Sequence, residues 1–454
     1  MSELLSGKKN GLTEGVIWKQ ILAFFFPILI GTFFQQLYNT TDAVMVGQFA
    51  GKDALSCVSG SAGQITSFVV GFYTGLSTGA TVIIARFYGA KDEKGLQHAI
   101  HTAYAFAVLG GVLIGIAGIV LSPQILECMN TPAELMDKSV LFLRIYFGSI
   151  IFVFVYNMGS AILRAAGDAR RPLFYLILCC LLNILLDFVF VFFMKMSVAG
   201  AGIATFISQA VSAVLVTRVL LLRTDVLKLR IENIGFHWET LRKILKIGLP
   251  TGIQSSMYSI SNIIIQAALN RFGVDTVAAW GAFGKIDALV WMVYAAFGMA
   301  LTTFAGQNYG ARKWERIGKS VRLSLVMSFV SISMLSALIL LFGRNLMSIF
   351  INDANVISIG LRMMGVISPA YCLFAFIEIF SAVLQAEGDV LIPALLTFGG
   401  TCLFRIIWVL FLVPGGTLEQ IIFCYPMTWA TCAVLFIFYY RWRQKQILQK
   451  AEGQ

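Results

Sequence analysis

Twelve long apolar segments constrain this chain more than anything else in it. They lie near residues 17–46, 54–84, 97–121, 139–161, 172–194, 200–222, 244–270, 277–304, 320–342, 357–383, 390–413 and 419–440, separated by short polar breaks. A run of roughly 20 apolar residues matches the hydrocarbon thickness of a bilayer. In lipid, every backbone N–H and C=O must be satisfied within the protein, which leaves only helices or closed barrels. Segments of this length read as helices, so the expected fold is an all-α integral membrane protein with twelve transmembrane helices. Composition agrees. The chain is 58% hydrophobic and 13% charged, with mean hydropathy +0.82, whereas a soluble domain carries about 25% charged residues.

The chain also repeats itself. Leu163-Arg164-Ala165-Ala166-Gly167-Asp168, followed by Pro172, returns at an offset of 221 as Leu384-Gln385-Ala386-Glu387-Gly388-Asp389, followed by Pro393. Tyr88-Gly89-Ala90-Lys91 returns as Tyr309-Gly310-Ala311-Arg312 at the same offset, and Pro27 returns as Pro250 at 223. A constant register over this length predicts two homologous halves of six helices each. Six is even, so both halves share one orientation and are related by an axis along the membrane normal. In membrane proteins such a layout points to a transporter with its site between the repeats. The expected domains are an N-terminal lobe 1–222, a linker 223–243, a C-terminal lobe 244–441 and a tail 442–454.

Basic residues orient the chain. Lysines and arginines favour the N-terminal side of the spans by roughly three to one, which places both termini in the cytoplasm by the positive-inside rule. The formal net charge of +11 is then a topology signal, and no nucleic-acid partner is expected. The first 15 residues are polar and lead into a long span without a small-residue cleavage site, so no removable signal peptide is expected. Cys57, Cys179, Cys180, Cys372, Cys402 and Cys432 fall inside spans without a Cys-x-x-Cys pair and read as small apolar fillers. His98 and His101 lack a third ligand and read as a wet helix end. No nucleophile elbow, phosphate loop or carboxylate–histidine arrangement suggests an enzyme.

Chemistry must therefore come from polar groups within the spans. An ionisable side chain at bilayer depth costs a few kcal/mol, so each needs a partner or a purpose. Gln35, Tyr38, Asn39 and Asp42 follow at three- and four-residue steps, forming one polar stripe on the first helix. Asp187 lies in the fifth span with Asn183 one turn before it; Asn157 and Thr205 add uncharged oxygens in the fourth and sixth. Lys19, Arg144 and Arg218 lie toward span ends, so no lysine or arginine is available deep inside the N-terminal spans to pair with either aspartate. A lone carboxylate there takes up a proton, because burial penalises its charge, or binds a small cation with neighbouring oxygens. The C-terminal half differs. Asp42 falls on Ile265, Asn183 on Phe404 and Asp187 on Trp408, although Asn39 keeps its echo at Asn262. This half holds Lys285, Asp287, Glu378 and Arg405 instead. Glu378 and Arg405 each otherwise lack a partner and are expected to form a buried ion pair; the rival reading makes Glu378 a contact to ion or substrate.

Two six-helix halves, Pro27 in the first span and the repeated Gly-Asp…Pro motif together resemble the multidrug and toxic compound extrusion (MATE) family, over about residues 14 to 443. Asn-Thr-Thr-Asp at 39–42, Asn157, Asn183, Asp187 and Thr205 look like the cation site of its DinF-like branch. The resemblance implies that these residues bind H⁺ or Na⁺, with Na⁺ held by Asp42, Asn183, Asp187 and Thr205 and no other metal or cofactor. It also implies that the first helix bends near Pro27 as the site changes state. The NorM-like branch carries acids in the seventh and tenth spans; here the seventh has none and Glu378 sits about one turn beyond, so coupling through the N-terminal lobe is favoured. The implied function is outward antiport of organic, often cationic and aromatic compounds from the cytoplasm, by a monomer in the plasma membrane (a cell inner membrane). Gln35, Tyr38, Asn39 and Glu378 are candidates for the substrate cavity. A flippase for lipid-linked oligosaccharides or other lipid conjugates is the alternative. It would want a basic cavity, which the acidic stripe does not provide.

Overall fold

A computed structural model describes residues 12–129, 131–413 and 415–452; Lys8, Lys9 and the signal-peptide question fall outside them. The regular structure among the described residues is all helical, with no strand. The spans are α1 Ile17–Ala50, α2 Asp53–Ala90, α3 Glu93–Cys128, α4 Ala133–Ala165, α5 Arg170–Phe193, α6 Ser197–Leu222, α7 Trp238–Leu269, α8 Val274–Gly310, α9 Trp314–Ser348, α10 Ala354–Ala386, α11 Leu391–Phe411 and α12 Leu418–Ile447. Eleven of these are long and apolar enough to cross a membrane. The exception, α7, is as long as its neighbours, but Gln254, Ser255, Ser256, Ser259, Ser261, Asn262 and Gln266 dilute its apolar character.

The sequence echoes turn out to be repeated helix endings. After α4, Gly167 takes φ +102° and after α10, Gly388 takes φ +76°. The Asp168 N–H donates to Leu163 O at 2.9 Å, and the Asp389 N–H donates to Leu384 O at 2.9 Å. Both are left-handed caps that reclaim the carbonyls a helix leaves unsatisfied, and glycine carries them without a Cβ penalty. The second echo is the same device built on other residues. Lys91 and Arg312 sit at φ +58° and +57°, donating to Tyr88 O and Tyr309 O at 3.2 and 3.1 Å. The two aspartates then serve different ends: Asp168 accepts from the Arg171 N–H at 3.2 Å at the start of α5, whereas Asp389 pairs with Arg443 at 3.3 Å on α12.

The chain packs as two units, 30–252 and 12–29 with 253–454. The first unit therefore includes the start of α7. Its contact with α2 is backbone on backbone: a Cβ on Gly75 would stand 2.5 Å from Gly252 Cα, and one on Gly79 2.6 Å from Gly248 N. Small residues allow this approach, which replaces the hydrophobic effect as the force between helices in lipid. In the second unit, residues 12–20 are strapped to the junction of α8 and α9. The Leu12 N–H donates to Gln307 Oε1 at 2.9 Å, Lys313 Nζ to Thr13 O at 2.9 Å, and Arg316 to Gly15 O at 2.9 Å and Gln20 Oε1 at 3.1 Å. Phe25 packs on Phe297 with ring centroids 4.2 Å apart. Pro27 and Pro250 lie inside continuous helices, each two residues before the chain passes from one unit to the other.

The segment between α6 and α7 is docked against the start of α3. Leu227 and Leu229 are buried, and Gln97 Nε2 donates to Val226 O at 2.6 Å. His101 is buried too, which corrects its reading as a wet helix end. Its Nδ1 faces Gln97 O at 2.7 Å and its Nε2 accepts the Arg230 N–H at 3.0 Å, so the ring is the neutral Nδ1–H tautomer. His98 is exposed and stacks on His237 at 4.3 Å. Among the described residues no group of histidines, cysteines and acids has the makings of a metal centre.

Candidate functional site

The acids of the first unit meet. Asp42 arrives on α1 just before that helix widens into a π-helical stretch at Val46–Ala50, and Asp187 ends the regular part of α5 before a second such stretch at Phe188–Phe193. π-helical turns cost hydrogen-bond geometry and gather where side chains must be aimed. Here one follows Asp187 directly and the other begins four residues after Asp42. The side chains of Asp42 and Asp187 lie against one another. Asp187 Oδ1 and Asp42 Oδ1 are both covered and find no hydrogen-bond partner.

Neighbouring groups hold this pair from one side. With its amide turned to satisfy both neighbours, Asn183 donates from Nδ2 to Asp187 Oδ2 at 3.0 Å and accepts the Thr205 N–H on Oδ1 at 3.3 Å. Thr205 Oγ1 lies 3.1 Å from the Tyr38 hydroxyl. Asn183 and Asp187 have no exposed surface, and Thr205 is nearly as buried. Among the described residues no lysine or arginine takes part. The arrangement offers two acidic oxygens, a hydroxyl and an amide around a point with no counter-charge, a set suited to a proton or a hard cation.

Not every expected residue joins in. Asn157 turns its Nδ2 back onto Val153 O of its own helix at 2.8 Å, leaving its oxygen uncommitted. Gln35 and Asn39 are exposed, on the α1 face that leads to Asp42. Glu378 is half-buried on α10, its carboxylate beside Gly298 of α8.

The expected ion pair between Glu378 and Arg405 is absent. Arg405 lies instead over the ring of Tyr425 at 4.1 Å, with Nε donating to Thr428 Oγ1 at 3.3 Å and Nη1 to Asn262 Oδ1 at 3.5 Å. A planar guanidinium finds an aromatic face and two neutral oxygens on α12 and α7 within reach, and these outbid a carboxylate anchored against α8. The acid that gains firm partners in this unit is Asp287. It accepts from the Tyr371 hydroxyl at 2.5 Å and from Trp291 Nε1 at 2.7 Å. Sequence reasoning missed both donors. The i, i+4 spacing of Asp287 and Trp291 was a usable signal; Tyr371, on another helix, gave none.

Comparison with known proteins bears on this geometry. The MatE family profile matches residues 27–189 and 250–410, two stretches that begin 223 and end 221 residues apart, the offsets read from the sequence. The chain is 28% identical over 448 residues to the probable multidrug resistance protein YoeA of Bacillus subtilis, covering 95% of each chain. It is 26% identical over 387 residues to the probable multidrug resistance protein NorM of Thermotoga maritima, covering 84% of this chain and 82% of that one. A crystal structure of MATE in the bent conformation matches with TM-score 0.90 at 23% identity over 98% of both chains. One in the straight conformation matches with TM-score 0.89 over 96% of this chain and 98% of that one. These structures share the fold.

Proposed function

The chain belongs to the MatE family of membrane transporters, and from that premise we propose that it exports organic, often cationic and aromatic compounds in exchange for H⁺ or Na⁺. One observation carries the reading: two carboxylates on different helices lie together inside a span, each with a covered oxygen that has no partner. Two adjacent anions in a low-dielectric setting cannot both stay charged without help. A proton shared between Asp42 and Asp187 meets that need; so does Na⁺ held by Asp42, Asn183, Asp187 and Thr205, with Asn157 as a further oxygen ligand. The bound ion supplies neutralising positive charge.

Coupling follows from linkage. A cationic substrate gains most from the ionised pair and the coupling ion gains most by neutralising it, so each favours a different state of the same carboxylates. Gln35, Tyr38 and Asn39 place polar groups on the α1 face leading to that pair, and Pro27 supplies a break in α1 where bending costs little, because proline already forgoes a helical hydrogen bond. The relatives named multidrug resistance proteins support export of small organic compounds. The chain is read as a monomer in the plasma membrane with both termini in the cytoplasm. The lobe boundaries are read as 222 and 244, and Glu378 as a contact to substrate.

Ethidium uptake into inverted vesicles under imposed H⁺ or Na⁺ gradients tests this. Gradient-driven uptake by the parent, reduced to background in both Asp42→Asn and Asp187→Asn with normal insertion, is the expected result. Uptake by the mutants at the parental rate would move the coupling site elsewhere, with Glu378 next in line.

A further inference from the structure

We propose that the second unit holds a site for a small monovalent anion, formed at Arg405 with Asn262, Thr428 and Trp429. Arg405 occupies a single α-helical turn, Phe404–Ile407, between π-helical stretches at Phe398–Leu403 and Trp408–Leu412, and is 3% exposed. Its contacts are all neutral: Thr428, Asn262 and the face of Tyr425. Among the described residues it makes no ion pair. Neither Asp287 nor Glu378 touches it: Asp287, near enough to feel its charge, accepts from Tyr371 and Trp291, and Glu378 lies beside Gly298. A buried charge with no anion in direct contact costs several kcal/mol, so a positive centre this well enclosed has room for one.

Donor accounting specifies the ligand. A guanidinium has five N–H groups; one goes to Thr428 and one to Asn262, leaving three. The Thr428 hydroxyl gives its own proton to Cys424 O at 2.7 Å, so it positions Arg405. Trp429, the next residue, is 1% exposed and its indole N–H has no partner; its ring packs against Tyr425 at 5.6 Å, the ring under Arg405. The uncommitted groups here are donors, the opposite of a cation site. Asn262 is exposed and gives the buried guanidinium an edge open to entry. Chloride fits, and so does the carboxylate of an organic solute.

Two of these positions have counterparts near the acids of the first unit. Asn262 and Thr428 each stand 223 residues after Asn39 and Thr205, and Arg405 follows Phe404, the counterpart of Asn183. Two polar positions of the repeat are kept, and the charge beside them has the opposite sign. This inference does not rest on ion-coupled export, because equilibrium binding reports it without any gradient.

The test uses the full-length protein in nanodiscs, in sodium gluconate, titrated with sodium chloride or sodium acetate while tryptophan fluorescence and thermal midpoint are read. A saturable response is expected in the parent and in Asp42→Asn, weakened at least tenfold in Arg405→Lys, severalfold in Trp429→Phe, and lost in Arg405→Leu. Response to chloride alone identifies an inorganic ion; response to acetate identifies the carboxylate of a solute. No saturable response to either salt, or an Arg405→Lys and Trp429→Phe pair that titrate like the parent, overturns the proposal even where Arg405→Leu does not fold.

Discussion

The two halves solve the same burial problem with opposite charges. In the first, Asn183 and Thr205 surround Asp187 and Asp42, and the uncommitted atoms are carboxylate oxygens. In the second, Asn262 and Thr428 surround Arg405, and the uncommitted atoms are N–H donors. Both sit where a spanning helix departs into π-helical turns. The repeat kept Asn262 and Thr428 as counterparts of Asn39 and Thr205, while the charged groups took positions of their own: Asp42 and Asp187 fall on Ile265 and Trp408, and Arg405 on Ile184. A frame that places a group is more durable than the group.

The contrast breaks most sharply at Asp187. Asp187→Asn should abolish gradient-driven dye uptake, whereas Asp287→Asn should leave at least half of it; equal loss in both would end the asymmetry between the lobes. Packing comes next. Gly75→Leu forces a side chain into the α7 backbone and should cost at least about 3 kcal/mol, the upper range for overpacking, read as a lower thermal midpoint. Gly281→Leu, with nothing within 4 Å of its Cβ, serves as the control. Tyr371→Phe strands one oxygen of Asp287 and should cost about 1–3 kcal/mol, a structural effect with dye transport intact. Tyr38→Phe removes one contact to Thr205 and should change uptake only a few fold, since that bond supports the carboxylates from outside. Smallest is His101→Phe, which deprives the Arg230 N–H of its acceptor for about 1 kcal/mol; faster proteolysis between residues 223 and 237 would register it, with little change in the midpoint.

Much of the scaffold was legible because its rules are local. Apolar length located all twelve spans, even α7, whose serines and amides place it below the others in hydropathy. The repeated Gly-Asp and Tyr-Gly-Ala motifs were visible as repeats, but only the left-handed caps at Gly167, Gly388, Lys91 and Arg312 explain why those residues recur. Helical spacing put Asn183 and Asp187 on one face, and lack of a basic partner drew attention to Asp42. What failed was pairing by elimination. Glu378 and Arg405 were matched because each lacked another charge, yet a guanidinium is as well served by Tyr425 and neutral oxygens. Such choices depend on which helices are neighbours, and one sequence does not encode that in its periodicity.

The strap at the chain's beginning has a consequence for biogenesis. Leu12 hydrogen-bonds to Gln307, 295 residues later, and Gly15 to Arg316. At about 5–20 residues per second of synthesis, the leading segment waits roughly 15–60 s before its partners leave the ribosome. Until then α1 must be held by lipid, by the insertion machinery or by transient neighbours, and its opening residues remain open to capture. A segment made 295 residues ahead of its partner is among the last to be finished.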